Sequence, residues 1–446
     1  MNELTLDAIR DCFDGDIPAV IATCAPDGTP NCSFASEVHF VDAEHVGLSY
    51  QFFNKTRANV LANPYACVMV SHRYTAVSYR IDVQYLRTEE AGPIFESMRA
   101  KLAGIASHTG MSGVFRLQGA DIYRVLKISA IAGRALPTPP KKSLLAVVRN
   151  YSQATSQWNE LAMLLEGTLA MIESLLGVRH SMIHWLDESG ERLFAVASRG
   201  YAQSGIGSEV QLGQGIVGSC ARACTAIRIK HATSDYTYGR AVRESVRQSH
   251  LADRLEAEIP QPGLVSPGSQ LAVPITARKH LLGVLYLESE AESRFGYDEE
   301  DAVVAIADHL GLAAQLLEQS AERQDVQAHP APTKSEVAGR PVTIRHYRAD
   351  DTIFVGDDYL IKGVAGAILW KLLREYEAQG KQEFTNRELR LDSSLPLPDL
   401  SSNLEARLIL LQRRLAERCA FIGIEKSGRG RFRLRIARPL QLLDAS

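Results

Sequence analysis

Two stretches of this sequence gather side chains able to do chemistry. The first is Leu48-Ser49-Tyr50-Gln51-Phe52-Phe53-Asn54-Lys55-Thr56-Arg57, closed by Asn63-Pro64. A strand-like run there delivers Asn54, Lys55 and Thr56 to the start of a helical stretch. Free backbone N–H groups and the helix dipole at such a start favour an anion. Lys55 adds a full positive charge and Thr56 a hydroxyl, so phosphate suits the set; the bland alternative is a solvated helix start. The second stretch lies near the other end. Asn403–Arg418 reads as a helix with Leu404, Leu408, Leu411 and Leu415 as its apolar stripe and Arg407, Arg413, Arg414 and Arg418 around the rest. The hairpin after it, Phe421–Glu425 and Phe432–Ile436, carries Arg429 and Arg431 at its Gly-rich tip. Arginines so placed can contact DNA phosphates or guanine edges. They can equally be a solvated face, which Glu405 and Glu417 dilute.

Other candidates carry less. Cys220 and Cys224 are four apart on one expected helix, with His231 downstream, but a fourth metal ligand is missing and small core filler is the simpler reading. The Gly213–Gly218 stretch lacks the Lys-Ser/Thr pair of a phosphate loop, which argues against nucleotide hydrolysis. No nucleophile–base constellation or acidic pair stands out, so no catalytic residue and no metal site are assigned. Any enzyme chemistry would reside in a bound cofactor.

These sites need elements to hold them, and composition marks where the elements group. The chain has 446 residues, too many for one core, with ordinary hydrophobic (46%) and charged (23%) content. Pro137, Pro139 and Pro140 form a hinge, and the polar stretch from Ser320 to Pro341 reads as a linker. Three segments result: 1–135, 143–320 and 342–446. The first reads as short strands with turns, a barrel pattern. The second is α/β: a helix over Trp158–Leu176, a hairpin of Ser181–Leu186 and Arg192–Ser198, strands Leu271–Thr276 and Leu281–Glu288, and a last helix after Asp298. The third reads as short strands (Asp351–Val355, Tyr359–Ile361), a helix over Val364–Gln379, a shorter one at Thr385–Leu389, the Arg-bearing helix and the hairpin. From Arg340 on there are 19 Lys and Arg against 14 Asp and Glu, a surplus of five in a chain whose net charge is −3. The basic tail on an acidic body suits a polyanionic partner. Seven scattered cysteines suggest reduced thiols and a cytoplasmic setting. No secretory signal and no apolar run of about 20 residues is visible, so a soluble protein with no membrane partner is expected.

The motif from Leu48 to Arg57 and the strand Gly119–Val125 resemble the pyridoxamine-phosphate-oxidase-like split barrels. The resemblance covers the first segment and implies FMN, with deazaflavin or haem as alternatives. It puts phosphate contacts on Asn54, Lys55 and Thr56, and ring contacts near Phe34, Ala35, Ser36 and Glu37 and on Ser49, Tyr50 and Gln51. Haem would need His39, His72 or His108 as an axial ligand. The segment runs straight into the Pro hinge and lacks the C-terminal stretch with which oxidases of this family hold a pyridoxal substrate. Gly215-Ile216-Val217-Gly218, Leu271-Ala272-Val273-Pro274-Ile275 and Leu282-Gly283-Val284-Leu285-Tyr286-Leu287 resemble a GAF domain, which implies a small-molecule ligand or dimerisation. Helices at both ends of that segment can pack across a homodimer interface. The third segment resembles an OmpR-type winged-helix effector domain. The expected fold is therefore multi-domain: a β split barrel, an α/β GAF domain and an α+β winged helix-turn-helix. The function implied is a flavin-binding sensory transcriptional regulator, with DNA as partner. The alternative is a flavin-dependent oxidoreductase regulated by its later domains.

Overall fold

The computed structural model describes residues 4–13, 17–35, 37–50, 54–108, 117–137, 143–230, 259–324, 339–395, 404–428 and 430–445; side chains are described within these ranges except at 54, 103–108 and 321–324. Strands β1 (Ala19–Cys24), β2 (Pro30–Ala35), β3 (Val38–Phe40), β4 (His45–Tyr50), β5 (Tyr65–Ser71), β6 (Ser78–Glu89) and β7 (Gly119–Ala130) form one antiparallel sheet in the order β2-β1-β5-β6-β7-β4-β3. Residues alternate across it: Ile21, Val68, Val70, Ile81 and Val83 point into the core while their neighbours point out. Register shifts beside Val83 and Arg87 bend the long β6–β7 pair, which curls the sheet into a half-barrel.

A second sheet runs β10-β9-β8-β13-β12-β11, built from β8 (His180–Leu186), β9 (Arg192–Arg199), β10 (Glu209–Gln211), β11 (Ile227–Ile229), β12 (Ser269–Ala277) and β13 (His280–Ser289). It is buried on both sides, which accounts for its near-continuous apolar runs. On one face lie α3 (Leu145–Thr155), α4 (Leu161–Met171, continued by one π-helical turn to Leu176) and α6 (Tyr297–Gln324). On the other lies α5 (Gly215–Ala223). The helices at the two ends of the segment pack on each other: Tyr151 of α3 meets His309 of α6 edge-on at 6.5 Å.

The last segment opens with β14 (Val342–Tyr347), β15 (Thr352–Val355) and β16 (Asp358–Ile361), then α7 (Gly363–Gln379), β17 (Glu383–Thr385), α8 (Asn386–Arg390) and α9 (Leu404–Arg418). Gly380 ends α7 in the left-handed conformation, and the Thr385 hydroxyl caps α8 by accepting from the Glu388 N–H at 3.1 Å. The hairpin β18 (Ile422–Gly428) and β19 (Arg431–Ile436) pairs with β17, and β20 (Leu440–Ala445) returns to lie parallel to β14. Sequence patterning misses β14, β17 and β20, because each is short, half-polar and completed only by a distant partner. The barrel's apolar cluster takes in Tyr297 of α6, whereas a second continuous core runs from Leu165 and Phe194 through Leu369 and Leu411 to Leu434. Among the described residues no helix is long and apolar enough to cross a membrane.

The return of β20 is pinned by charge. Asp444 sits 3.2 Å from His346 Nδ1 and also pairs with Arg348, whose hydrogen bond is the main cause of its pKa falling from 3.8 to about 2. A carboxylate depressed in this way stabilises the fold in full above its ordinary pKa and stops doing so as pH falls toward 2. Acid titration followed by tryptophan fluorescence (Trp370 stacks on His346 at 4.7 Å) should therefore show the wild type losing stability between about pH 4 and 2. In Asp444→Asn that part of the pH dependence should be absent.

Candidate functional site

Strand β4 ends at Tyr50, and the helix after it is described from Asn54 on. Helix α1 (Asn54–Ala62) places Thr56, Asn59 and Val60 on its inner face and stops at Asn63-Pro64. Its polar inner residues bond to the first hairpin. The Thr56 hydroxyl accepts from Asn31 Nδ2 at 2.8 Å and shares a hydrogen bond with Ser33 Oγ at 3.0 Å, while Asn59 Nδ2 donates to the Thr23 hydroxyl at 3.0 Å. Lys55 stays exposed at the mouth. Arg57 reaches across the sheet: it pairs with Asp121, donates to the Thr88 hydroxyl at 2.8 Å and lies 4.4 Å over the Tyr50 ring. Burial opposes the Arg57 charge, but the Asp121 contact outweighs it and raises the pKa. Ala35, Ser49 and Thr56 line one small cavity with Arg57, Asp121 and Tyr123.

Of the expected contacts, then, Ala35, Ser49 and Thr56 meet in one place, with Tyr50 under Arg57 at its edge. Phe34 is 72% exposed on edge strand β2. Ser36, Gln51 and the Asn54 side chain lie outside the described residues. Asn31, Ser33, Arg57, Asp121 and Tyr123 were not assigned from the sequence. The signal for the first two was there: they alternate with Cys32 and Phe34, so β2 has a polar face, but only the fold says that α1 covers it.

Glu37 turns elsewhere. Its carboxylate is 1% exposed, with Lys101 Nζ of α2 (Pro93–His108) at 3.4 Å and His39 Nδ1 at 3.6 Å. Desolvation by burial, the largest influence on His39, lowers its pKa. Beside this group Tyr297, at the head of α6, carries Arg228 4.3 Å over its ring and Lys101 and Arg10 at 5.4 Å. Arg10 also pairs with Asp298 (3.1 Å) and Asp301 (2.5 Å), so the barrel and the second sheet's longest helix are joined by charge around one tyrosine. His72 is used locally, its Nδ1 accepting from the N–H groups of Tyr74 and Thr75, and the His108 side chain is outside the described residues. 

In the second domain the Gly-rich turn has a packing role. A Cβ on Gly218 would lie 2.1 Å from the Gln211 carbonyl, and the Gly213 N–H donates to the Gly218 carbonyl at 2.6 Å. The cysteine pair does not share a helix face. Cys224 lies past the end of α5 in left-handed conformation and is exposed, whereas Cys220 is fully buried, because the helix stops between them. Burial pushes both thiols up, against a reactive thiolate. His231 is outside the described residues, among which no His, Cys, Asp and Glu group suits a metal. On the α5 side of the sheet, buried Glu288 accepts from Tyr286 OH (2.5 Å), Gln270 Nε2 (3.1 Å), Tyr201 OH (3.2 Å) and the Leu264 N–H (2.9 Å). His184 is buried with neither ring nitrogen hydrogen-bonded, and desolvation takes its pKa to about 4.

The arginines of α9 are the largest departure from the sequence reading. Only Arg418 is exposed as expected, Arg431 on the hairpin is half-buried, and Arg429 is outside the described residues. Arg407 makes a two-point contact with Glu188, in the β8–β9 turn, at 2.6 and 3.2 Å, and lies 3.9 Å over Phe194 of β9. Arg413 bonds to the Val196 carbonyl and to Glu166 (2.7 Å), and burial lowers its pKa. Arg414 donates to the Leu360 carbonyl at 3.0 and 3.2 Å. Read as decorations, they are packing and pairing residues instead, because α9 is covered on two sides.

Residues 5–135 match the family model for pyridoxamine 5'-phosphate oxidase, and residues 160–314 match the model for the GAF domain. The protein therefore combines a pyridoxamine-phosphate-oxidase-like split-barrel domain with a GAF domain. No curated protein matches the chain. Among solved structures, the GAF domain of an Acinetobacter phosphoenolpyruvate-protein phosphotransferase is 19% identical over 42% of this chain and 100% of its own, with a TM-score of 0.31. An FMN-binding protein from Syntrophomonas wolfei is 15% identical over 29% of this chain and 92% of its own (TM-score 0.24). Free methionine-R-sulfoxide reductase from Neisseria meningitidis, solved with its substrate, is 15% identical over 42% and 98% (TM-score 0.31).

The Glu37–Lys101 pair gives a direct test of the junction. Lys101→Met leaves a buried carboxylate without its opposite charge and should cost about 3 kcal/mol in denaturant unfolding. Adding Glu37→Gln should recover most of that loss; a double variant as unstable as the single one would contradict the pairing.

Proposed function

We propose that this protein is a flavin-binding sensory regulator in which the split barrel and the GAF domain control DNA binding by a winged-helix domain at residues 342–446. The observation that carries the flavin reading is the cleft where α1 begins. Lys55, the Thr56 hydroxyl and the first N–H groups of the helix fit a phosphate, while Ala35, Ser49 and Tyr50 border the neighbouring space. Arg57 is committed to Asp121, so its part is to hold α1 on the sheet and thereby fix the mouth. A bound flavin would supply redox or light-absorbing chemistry; the chain's own residues bind and orient it. FMN fits the phosphate-binding turn, and deazaflavin would use the same cleft.

Three helices followed by a β-hairpin, behind a short N-terminal sheet and with a basic surplus, support the winged-helix reading. The GAF domain would hold a small ligand under α5, near Glu288 and His184. The exposed Leu312 and Leu316 of α6, one turn apart, are candidates for contact with a second copy.

The visible spectrum of the full-length protein should show flavin absorbance, or gain it on incubation with FMN. Lys55→Glu, at an exposed position, should weaken FMN binding by roughly 10- to 100-fold, the scale of a lost charge-assisted hydrogen bond, without lowering the melting temperature of the apoprotein. Unchanged affinity would move the phosphate elsewhere. Binding to mixed genomic DNA fragments should weaken steeply as salt rises, since released counterions drive it.

A further inference from the structure

We propose that the chain is self-inhibited: in the state described, the GAF domain covers the helix that would read DNA, and α9 must be released before the protein binds DNA tightly. The inference rests on the DNA-binding reading above. It comes from where the α9 side chains are spent. Arg407, Leu410, Arg413 and Glu417 recur at three- and four-residue intervals, one stripe of the helix. That stripe faces the second sheet along its length. Arg407 pairs with Glu188 and covers Phe194; their charged side chains are 9% and 8% exposed. Leu410 approaches Gly207, where an added Cβ would lie 3.3 Å from its Cδ1. Arg413 takes the Val196 carbonyl and Glu166, and Glu417 accepts from the Ser204 hydroxyl at 2.6 Å. Beyond the helix, Lys426 of β18 pairs with Glu160 at 3.0 Å, so the hairpin is tied to the same domain.

The cover is acidic. Glu160, Glu166 and Glu188 pair with three of the basic residues of α9 and the hairpin. Duplex DNA and this face therefore compete for the same cations. A ligand or redox change that favours the open arrangement shifts the population only by its differential affinity for the two states. The contacted strand, β9, lies between β8 and edge strand β10; it carries Phe194 and Val196 in the core shared with α9 and Leu193 in the cluster under α5, which connects the covered helix through one strand to the interior that a GAF ligand would perturb.

The test uses the full-length chain with changes confined to the cover, so that no α9 side chain is altered. Glu188→Gln combined with Glu166→Lys removes the charge opposite Arg407 and reverses the one opposite Arg413. Glu166 is 52% exposed, so the fold should tolerate its change; Glu188 is 8% exposed, and Glu188→Gln keeps its size and an oxygen to accept from Arg407, so its cost falls on the seam with α9. Amide hydrogen exchange of 404–418 and binding to mixed genomic DNA are measured on wild type and variant. We expect faster exchange across α9 and about tenfold tighter DNA binding in the variant. Glu166→Lys alone, the variant least able to disturb folding, should move both readouts in the same direction by a smaller amount. If α9 exchange rises while DNA binding stays equal to a wild type that already binds, self-inhibition is wrong and the DNA reading survives. If α9 is freed and neither protein binds DNA at low salt, the DNA reading fails and the inhibition with it. Unchanged exchange in the variants would show that these pairs do not hold the helix, which also overturns the proposal.

Discussion

A guanidinium taken out of water must be answered by an acceptor, and the arrangement of the last two domains follows from how Arg407 is answered. Two of its nitrogens, Nε and Nη2, meet the two Glu188 oxygens and its flat face lies on Phe194. Few other side chains satisfy charge and planarity at once; a lysine would keep the charge and lose the two-point geometry and the stacking. The contact orients α9, and with α9 oriented, Leu410 and Arg413 reach the same sheet. The apolar core then runs without a break from the GAF helices into α7 and α9. What looks like three beads on a string in sequence is closer to a barrel attached by charge and a two-part body sharing one core.

The attachment of the barrel obeys the same rule with different parts. Tyr297 offers one ring to Arg10, Lys101 and Arg228, and those cations are balanced by Asp298, Asp301, Glu37 and Glu300. Such a junction is charge-dense, with Tyr297 and Ala100 adding apolar contacts, unlike the continuous apolar seam at the other end. Domains joined in this way can shift relative to each other more easily than domains joined through a common core.

Close backbone approach explains features that composition invites one to read as chemistry. Gly218 lets α5 rest on the Gln211 carbonyl, and Gly366 lets α7 come so near the Asp351 carbonyl that a Cβ would lie 1.9 Å away. Gly218 thus serves packing, Gly213 and Gly215 take left-handed backbone, and of the two cysteines that follow, Cys220 before the helix end is core and Cys224 past it is surface.

The division between what could and could not be read from residues alone follows from distance along the chain. Local patterns were legible: the short apolar runs that make β1 and β13, the helix start at Asn54-Lys55-Thr56, the Asn63-Pro64 stop, the Thr385 cap. Each depends on neighbours within a few positions, so the sequence determines it. Family-level motifs also carried the first two domains. Pairings over long separations were not legible: β14 with β20, Thr56 with Asn31 and Ser33, Arg57 with Asp121. The decisive case is Arg407. Its spacing on an amphipathic helix said only that it lies off the Leu stripe of its own domain. Whether that second face meets water, DNA or another domain depends on Glu188 and Phe194, more than 200 residues away, and a helix has no means of recording in its own sequence what is packed on its outer side.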